Sequence, residues 1–336
     1  LKANKSFFGN RNLQPLLLSV RSGAPNSMPG MMDTILNLGL NDSSVKLLAQ
    51  FTSNERFAYD SYRRFIEMFS NVVADIPRIE FERLLDKVKT DKNYKTDSEL
   101  TVSDLKLLID KYKKIYFNFQ KSDFPEDSIR QLFLAVEAVF RSWDNPRAVT
   151  YRNLHNISHD IGTAVNIQAM VFGNMGETSG TGVLFTRNPI NGNDELFGEY
   201  LINAQGEDVV AGTRTPAEIS ELKRGFPNIY EELSNISKKL EEYFKDIQDI
   251  EFTIENGKLY FLQVRSAKRA PLAAINTVCN LVEEKVIDKA EAIKRINSKD
   301  LENLLHPVFD ETYLKKSKVI GKGLAASPGA ASGKVY

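Results

Sequence analysis

The stretch DIEFTIENGKLYFLQVRS, residues 249–266, predicts a β-hairpin. Asn256-Gly257 separates two runs in which apolar and polar residues alternate, and Asn-Gly is a strong signal for a hairpin turn. Because successive strand residues face opposite sides of a sheet, the apolar residues of the first run share one face. Asp249 and Glu251 then share the other face, so the hairpin has an apolar side and a polar side.

Turn length decides which residues of the second strand join the polar side, because a register change of one residue inverts every side chain. A two-residue turn at Asn256-Gly257 sets Glu251 opposite Leu262. A three-residue turn over 255–257, with glycine in the left-handed conformation, gives a uniform polar face and is our prediction. That polar face consists of Asp249, Glu251, Gln263 and Arg265. The apolar face of the second strand then consists of Tyr260, Leu262 and Val264.

Two carboxylates, an amide oxygen and a guanidinium on one sheet face have a specific chemical use. Mg²⁺ prefers oxygen ligands, commonly one or two carboxylates together with substrate phosphates. Arginine forms paired hydrogen bonds with phosphate. The alternative is a solvated antiparallel face with cross-strand ion pairs, which is the commoner arrangement, and the hairpin alone leaves both interpretations open.

Two glycine-containing segments also suggest phosphate binding. The first, SVRSGAPNSMPGMMD at 19–33, follows an apolar run that predicts a strand, and its glycines, prolines and methionines suggest a flexible lid after Arg21. The second, GNMGETSGTG at 173–182, links two β-rich runs and offers backbone N–H groups to an anion. It opens a strand rather than a helix, so it is neither a Walker loop nor a Rossmann fingerprint.

Composition restricts the class of protein. The 336 residues contain 44 Lys and Arg against 44 Asp and Glu, so no net charge favours nucleic acid or an anionic membrane. A single cysteine, Cys279, excludes an intramolecular disulfide and favours a reducing compartment, which we take to be the cytoplasm. Residues 41–125 show helical periodicity between strand-containing flanks, which predicts an all-helical insertion in an α+β protein.

Four segments together resemble the pyruvate, phosphate dikinase family. They are SVRSGAPNSMPGMMDTILNLGLND at 19–42, FRSWDNPRAVTYR at 140–152, GTGVLFTRNPINGNDELFGEYLINAQGEDVVAG at 180–212, and the hairpin continued to DIEFTIENGKLYFLQVRSAKR. Phosphoenolpyruvate synthases and glucan dikinases share the Val-Arg-Ser opening and the Gln-x-Arg close, but not Met-Pro-Gly-Met-Met-Asp-Thr. The resemblance covers nearly the whole chain and concerns the family's N-terminal nucleotide-binding part.

The resemblance implies an ATP-grasp fold of two α+β subdomains with an all-helical insertion. The first subdomain would comprise 1–40 and 126–171, and the insertion 41–125. The second subdomain would comprise 172–268, followed by a helical linker at 269–319. Residues 320–336 would begin a phosphohistidine domain that is cut off. The family's Gly-Gly-Lys-Gly segment, which supplies an ATP-contacting lysine, has no match, and the three histidines are interpreted as structural.

The resemblance also implies site roles. Arg21 would hold ATP phosphates, the loop around Gly30 would cover them, and Thr181 with Gly182 would touch them. The adenine would lie against Gln168, Met170 and Val171. The hairpin face would be catalytic, with Glu251 and Gln263 as Mg²⁺ ligands, Arg265 as a phosphate clamp and Asp249 as a positioning group.

The implied reaction converts ATP, phosphate and pyruvate into AMP, pyrophosphate and phosphoenolpyruvate. It would proceed through histidine intermediates on the protein's own phosphohistidine domain, in a full-length homodimer. Residues 1–336 alone would bind ATP and not complete turnover. Two alternatives stay open, a pyruvate, water dikinase and a non-catalytic nucleotide-binding docking module.

Overall fold

The computed structural model of the chain describes residues 15–26, 28, 30–210 and 214–298, with isolated positions between 301 and 321. These residues combine helices with antiparallel sheets, which agrees with the α+β class predicted from the sequence. The chain divides into two compact units, residues 1–171 and 172–336. The predicted start of a phosphohistidine domain, residues 320–336, lies outside the described residues apart from Gly321.

The first unit is built on an antiparallel sheet in the order β2-β1-β3. Its strands are β1 (Leu18–Gly23), β2 (Thr34–Leu38) and β3 (Ala164–Ala169). Its α-helices in the described residues are α1 (Ser44–Thr52), α2 (Glu55–Ala74), α3 (Arg78–Lys92), α4 (Val102–Gln120), α5 (Ser128–Arg141) and α6 (Pro146–Leu154). The connection from β2 to α5 is therefore helical throughout, as the periodicity of 41–125 predicts.

Helix α5 packs across all three strands, and α2 packs on β2 beside it. The apolar faces meet in a core that includes Val20 and Ile35, both without solvent exposure. Farther out, Phe65 and Phe69 of α2 meet Phe124 with ring centroids 5.8 and 5.3 Å apart. These edge-to-face contacts fasten the helical insertion to the rest of the unit.

The second unit contains a five-stranded antiparallel sheet in the order β6-β5-β4-β7-β8. Its strands are β4 (Gly180–Phe185), β5 (Phe197–Ile202), β6 (Ala217–Glu218), β7 (Gln248–Glu255) and β8 (Lys258–Ser266). Its α-helices in the described part are α7 (Gly206–Val210), α8 (Leu222–Gly225), α9 (Pro227–Phe244), α10 (Pro271–Glu283) and α11 (Lys289–Arg295).

One face of this sheet carries the core of the second unit. Ile250, Phe252 and Ile254 of β7 have no solvent exposure and pack with Leu184 of β4 and residues of α8 and α9. Because the side chains of a strand alternate, the residues between them lie on the opposite face. The polar residues of the hairpin lie there.

The hairpin turn differs from the prediction. Glu255 pairs with Lys258, so the turn has two residues, Asn256 and Gly257, with φ of 49° and 76°. Both angles are positive, as a type I′ turn requires, and Asn-Gly is the preferred sequence for that turn. The three-residue turn is therefore wrong.

A β-bulge at Leu262 restores the predicted polar face. Phe252 pairs with Phe261, yet the next residue, Glu251, pairs with Gln263, so Leu262 is an extra residue on β8. The bulge changes the phase of β8. Its apolar face consists of Leu259, Phe261 and Val264, and not of Tyr260, Leu262 and Val264 as predicted.

Candidate functional site

The polar face of the second unit joins two cross-strand pairs. Glu251 lies opposite Gln263, and Asp249 lies opposite Arg265 on the same hairpin. Residues paired directly across antiparallel strands have their side chains on the same side of the sheet. The structure therefore brings together all four residues that the sequence grouped, although by a bulge and not by the turn that the sequence suggested.

Arg265 holds the two carboxylates of this face. Its Nη2 lies 2.5 Å from Oε1 of Glu251, and its Nε lies 3.4 Å from Oδ2 of Asp249. The Nε atom is buried and, within the described part of the chain, makes no hydrogen bond despite that ion pair. All three side chains are only 20–26% exposed, so the charges interact more strongly than on an open surface.

Burial raises the pKa of Asp249 above its usual range. Neighbouring Arg265 acts in the opposite direction because its positive charge favours the carboxylate, whereas Glu251 adds to the increase. A carboxyl group with a raised pKa at the edge of a charged cluster is typical of a functional site as well as of a strained ion-pair network.

This shift predicts a pH dependence of stability. Between the ordinary value of 3.8 and the raised pKa, folded Asp249 binds more protons than the unfolded chain does. The group's contribution to the free energy of unfolding should therefore fall as pH rises through that window. We expect Asp249→Asn to remove this part of the pH dependence of the free energy of unfolding, measured by urea unfolding between pH 3.5 and 7. Asp194→Asn, at an exposed aspartate of the same unit, serves as the control and should leave this pH dependence in place.

The donor set of this face fits Mg²⁺ in its usual mode of binding with a phosphate ligand. Glu251 offers a carboxylate and Gln263 an amide oxygen from paired positions, and Asp249 offers a second carboxylate two residues away on the same face. Within the described residues there is no cluster of three or more His, Cys, Asp or Glu that could hold a metal alone. The face is therefore suited to a cation that arrives with phosphate oxygens.

Thr181 and Gly182 lie in strand β4, not in the glycine-rich loop from which they were expected to reach phosphate. The Thr181 hydroxyl donates to the Phe252 carbonyl at 3.1 Å, and the residue is 4% exposed. Gly182 faces the core, where a Cβ atom would come within 2.6 Å of the Phe252 ring. Both positions support β7, and their contact with phosphate stays a prediction.

The glycine-rich loop before β4 is tied to the hairpin turn. The Asn256 N–H donates to the Ser179 hydroxyl at 3.0 Å, and the Gly257 N–H donates to the Thr178 carbonyl at 2.8 Å. Two donors of the turn are therefore satisfied by the loop. This links the second glycine-containing segment to the hairpin that carries the polar face.

In the first unit, Arg21 lies on the central strand of the sheet. It pairs with Asn166, and Ser19 pairs with Gln168, so Arg21 and Gln168 point to the same side. Their common side is opposite that of Val20, which is buried beneath the helices. The structure thus brings together Arg21 and one of the predicted adenine contacts. Met170 and Val171 follow β3 directly, and the Met170 N–H donates to the Leu17 carbonyl at 2.8 Å.

The loop at 24–33, here called the Gly30 loop, is anchored at its far end. Gly30 has φ of 70°, a conformation that favours glycine, and a Cβ atom there would meet nothing within 4 Å. The Asp33 N–H donates to the Ser142 hydroxyl at 3.1 Å. Asn145 Nδ2 donates to the Asp33 carboxylate at 3.0 Å, and Arg147 pairs with that carboxylate.

Arg147 also donates to the Met31 carbonyl at 3.0 Å. Met28 is 9% exposed, so its side chain belongs to the hydrophobic core and not to an exposed lid. Sequence reasoning did not single out the anchoring residues Ser142, Asn145 and Arg147, since they lie more than a hundred positions away from the loop. Only the Asn-Pro dipeptide at 145–146 indicated a turn there.

None of the described helices is both long and apolar enough to cross a membrane.

Comparison with known proteins identifies the chain. A family model described as "Pyruvate phosphate dikinase, AMP/ATP-binding domain" matches residues 2–229 and 227–285. This match places the chain in the class of AMP/ATP-binding domains. The pyruvate, phosphate dikinase of Clostridium symbiosum is 56% identical over 334 residues, which cover 99% of this chain and 38% of the relative.

Plant relatives are nearly as similar. The chloroplastic pyruvate, phosphate dikinase of Mesembryanthemum crystallinum is 54% identical over 98% of this chain and 35% of its own length. Pyruvate, phosphate dikinase 2 of Zea mays is 52% identical over 96% of this chain and 36% of its own length. The chain therefore belongs to the pyruvate, phosphate dikinase family, as the sequence motifs indicated, and spans less than two fifths of these relatives.

Proposed function

We propose that this chain binds ATP with Mg²⁺ and transfers the βγ-pyrophosphoryl group as part of a pyruvate, phosphate dikinase. The observation that carries the proposal is the hairpin face, where Arg265 lies 2.5 Å from Glu251 and 3.4 Å from Asp249. Such a face supplies both the oxygen ligands and the cationic group that phosphoryl transfer needs.

Each residue of the face has a proposed task. Glu251 and Gln263 hold the cation, which when bound neutralises charge on the phosphate oxygens. Arg265 binds phosphate oxygens through its guanidinium group. Asp249 keeps the guanidinium oriented through its 3.4 Å contact. Phosphoryl transfer requires little covalent work from the protein, so positioning and charge neutralisation account for most of the catalysis.

The first unit would supply the remaining nucleotide contacts. Arg21 binds phosphate from the sheet face that it shares with Gln168, which lies against the adenine together with Met170 and Val171. The Gly30 loop covers the phosphates. We propose that the two units are the two subdomains of an ATP-grasp fold, with α1–α4 as the helical insertion and α10 at the start of the linker.

The acceptor of the pyrophosphoryl group would be a histidine on the protein's own phosphohistidine domain. The histidine nitrogen would attack the β-phosphorus, and the bond between this phosphorus and the α,β-bridging oxygen would break. AMP leaves with the bridging oxygen, and the βγ unit stays on the histidine nitrogen. Phosphate then accepts the terminal phosphoryl group to give pyrophosphate, and pyruvate accepts the remaining one to give phosphoenolpyruvate. We further propose a homodimeric protein in a reducing compartment such as the cytoplasm.

A turnover assay tests this proposal. The protein with all the domains of its relatives should sustain multiple turnovers of ATP to AMP and pyrophosphate only when phosphate, pyruvate and Mg²⁺ are all present. Residues 1–336 alone should bind Mg-ATP in a calorimetric titration and form no phosphoenolpyruvate in a coupled assay. Sustained turnover to AMP with pyruvate but without phosphate would instead identify a pyruvate, water dikinase. Nucleotide binding without any AMP formation would identify a docking module.

A further inference from the structure

A buried arginine lies behind the anchor of the Gly30 loop. Arg152 of α6 is 1% exposed, and its guanidinium carbon lies 4.0 Å from the ring centroid of Trp143. Its Nη1 donates to the Trp143 carbonyl at 2.6 Å. Arg152 therefore holds both the ring and the backbone of Trp143, which lies in the 3₁₀ turn Ser142–Asp144.

The other side of the guanidinium binds a histidine. Arg152 Nε donates to Nδ1 of His159 at 2.9 Å, so this nitrogen carries a lone pair and the proton is assigned to Nε2. Nε2 lies 3.0 Å from Oδ1 of Asn153, which accepts a hydrogen bond from the Nε2–H group. The Trp143 indole N–H donates to the His159 carbonyl at 3.1 Å and closes the cluster.

Charge pairing does not explain this arginine. Among the described residues, no carboxylate lies within ion-pair distance of Arg152, and its hydrogen-bond acceptors are neutral. Burying a cation without a counter-charge is unfavourable, so a long apolar side chain would fill this space at a lower free-energy cost. An apolar side chain, however, could not form the hydrogen bonds by which the rigid guanidinium joins two segments of the chain.

One of these two segments continues into the residues that hold the Gly30 loop, and the other continues into strand β3, which carries Gln168. The 3₁₀ turn with Trp143 continues into Asn145 and Arg147, which fix Asp33 and Met31 of the Gly30 loop. On the other side, His159 lies in the 3₁₀ turn His159–Ile161, five residues before the start of β3. That strand pairs with β1 and places Gln168 on the same side of the sheet as Arg21.

We propose that Arg152 is a positioning residue that sets the Gly30 loop relative to the Arg21 and Gln168 face. The proposal rests on the proposed function for the identity of the ligand, Mg-ATP, but not for the mechanical link itself. Arg152 touches no nucleotide and acts through Trp143 and His159. Its loss should loosen the loop anchor and weaken nucleotide binding without removing any contact to the nucleotide.

Arg152→Lys tests this link, because lysine keeps the charge and loses the fork. Hydrogen–deuterium exchange of the Met31 and Asp33 amides, which donate to Met28 and Ser142, should become about tenfold faster in the nucleotide-free chain. The dissociation constant for Mg-ATP should rise about five- to tenfold, within the range seen for residues that act through a network. Amides of the helical insertion should keep their exchange rates.

Arg63→Lys is the matched control. Arg63 is also buried in the first unit, at 2% exposure, but it binds Asp60 and Glu67 inside the helical insertion. A merely structural effect of losing a buried arginine would appear in both variants as a lower melting temperature. Only Arg152→Lys should change the exchange of Met31 and Asp33.

Unchanged exchange at Met31 and Asp33 in folded Arg152→Lys protein would overturn the proposal. If this variant does not fold, Trp143→Phe, which removes the indole bond to the His159 carbonyl, replaces it with the same expected results. Failure of the unaltered chain to bind Mg-ATP would contradict the proposed function alone. The exchange measurement would still decide whether Arg152 positions the loop.

Discussion

Replacing Glu251 by glutamine is expected to slow AMP formation by about 10²–10³-fold in the protein with all its domains, with little change in its fold. Glutamine keeps the shape of the side chain but removes a negative charge 2.5 Å from Arg265. The proposed cation loses its carboxylate ligand, and Arg265 loses the partner that orients it. Removing one electrostatic group from a preorganised site typically costs a factor of this size. Single-turnover measurement of AMP from labelled ATP gives the rate.

Asp246→Asn provides the matched control. Asp246 forms an ion pair with Arg269 just before β7 and is not one of the four residues of the polar face. This variant should lose a similar amount of stability and keep AMP formation within about threefold of the unaltered protein, as for a partly exposed pair. The double variant Glu251→Gln with Gln263→Ala should be no faster than Glu251→Gln alone. If AMP forms at the original rate in that double variant, the hairpin face is not the site of transfer.

Gly182→Ala should lower the free energy of unfolding by about 2–3 kcal/mol, the effect expected for an overpacked core position. A Cβ atom at this position would come within 2.6 Å of both the Phe252 ring and the Glu199 carbonyl oxygen. Both neighbours are held in the sheet, so strand β7 would have to shift, and Glu251 directly precedes Phe252 in this strand. Urea unfolding of the variant gives the loss of stability.

Gly225→Ala is the corresponding control. Gly225 ends α8, and a Cβ atom there would meet nothing within 4 Å. Alanine in a helix is favoured over glycine by roughly 1 kcal/mol, so this variant should be as stable as the unaltered chain or slightly more stable. Equal stability of both variants would show that the sheet accepts a side chain at position 182.

The hairpin shows how far side-chain alternation carries a prediction. Alternation grouped Asp249, Glu251, Gln263 and Arg265 correctly, because one face of β7 is fully buried and fixes the other. The prediction of the turn was wrong because it assumed regular pairing of the two strands, without a bulge. The Asn-Gly preference for a two-residue turn prevailed, and the resulting mismatch is absorbed by a bulge that no local pattern indicated.

Residues that act over long sequence distances could not be found in this way. Ser142 and Arg147 hold the Gly30 loop across more than a hundred positions, and nothing in either segment alone indicates the contact. Arg152 is one of two arginines in a short helix, and charged residues in such helices are mostly exposed to solvent. Its burial depends on Trp143 and His159, which come from two other turns.

The bulge at Leu262 also affects how much length variation the hairpin tolerates. Because Phe261 and Gln263 already oppose the consecutive residues Phe252 and Glu251, a chain lacking Leu262 would simply have a regular ladder there. Gln263 and Arg265 would still face the same way as Glu251 and Asp249. Insertion or loss of one residue usually inverts the rest of a strand, yet loss of Leu262 leaves the orientation of the polar face unchanged. Homologous hairpins can therefore differ in length by one residue here and keep the same chemistry.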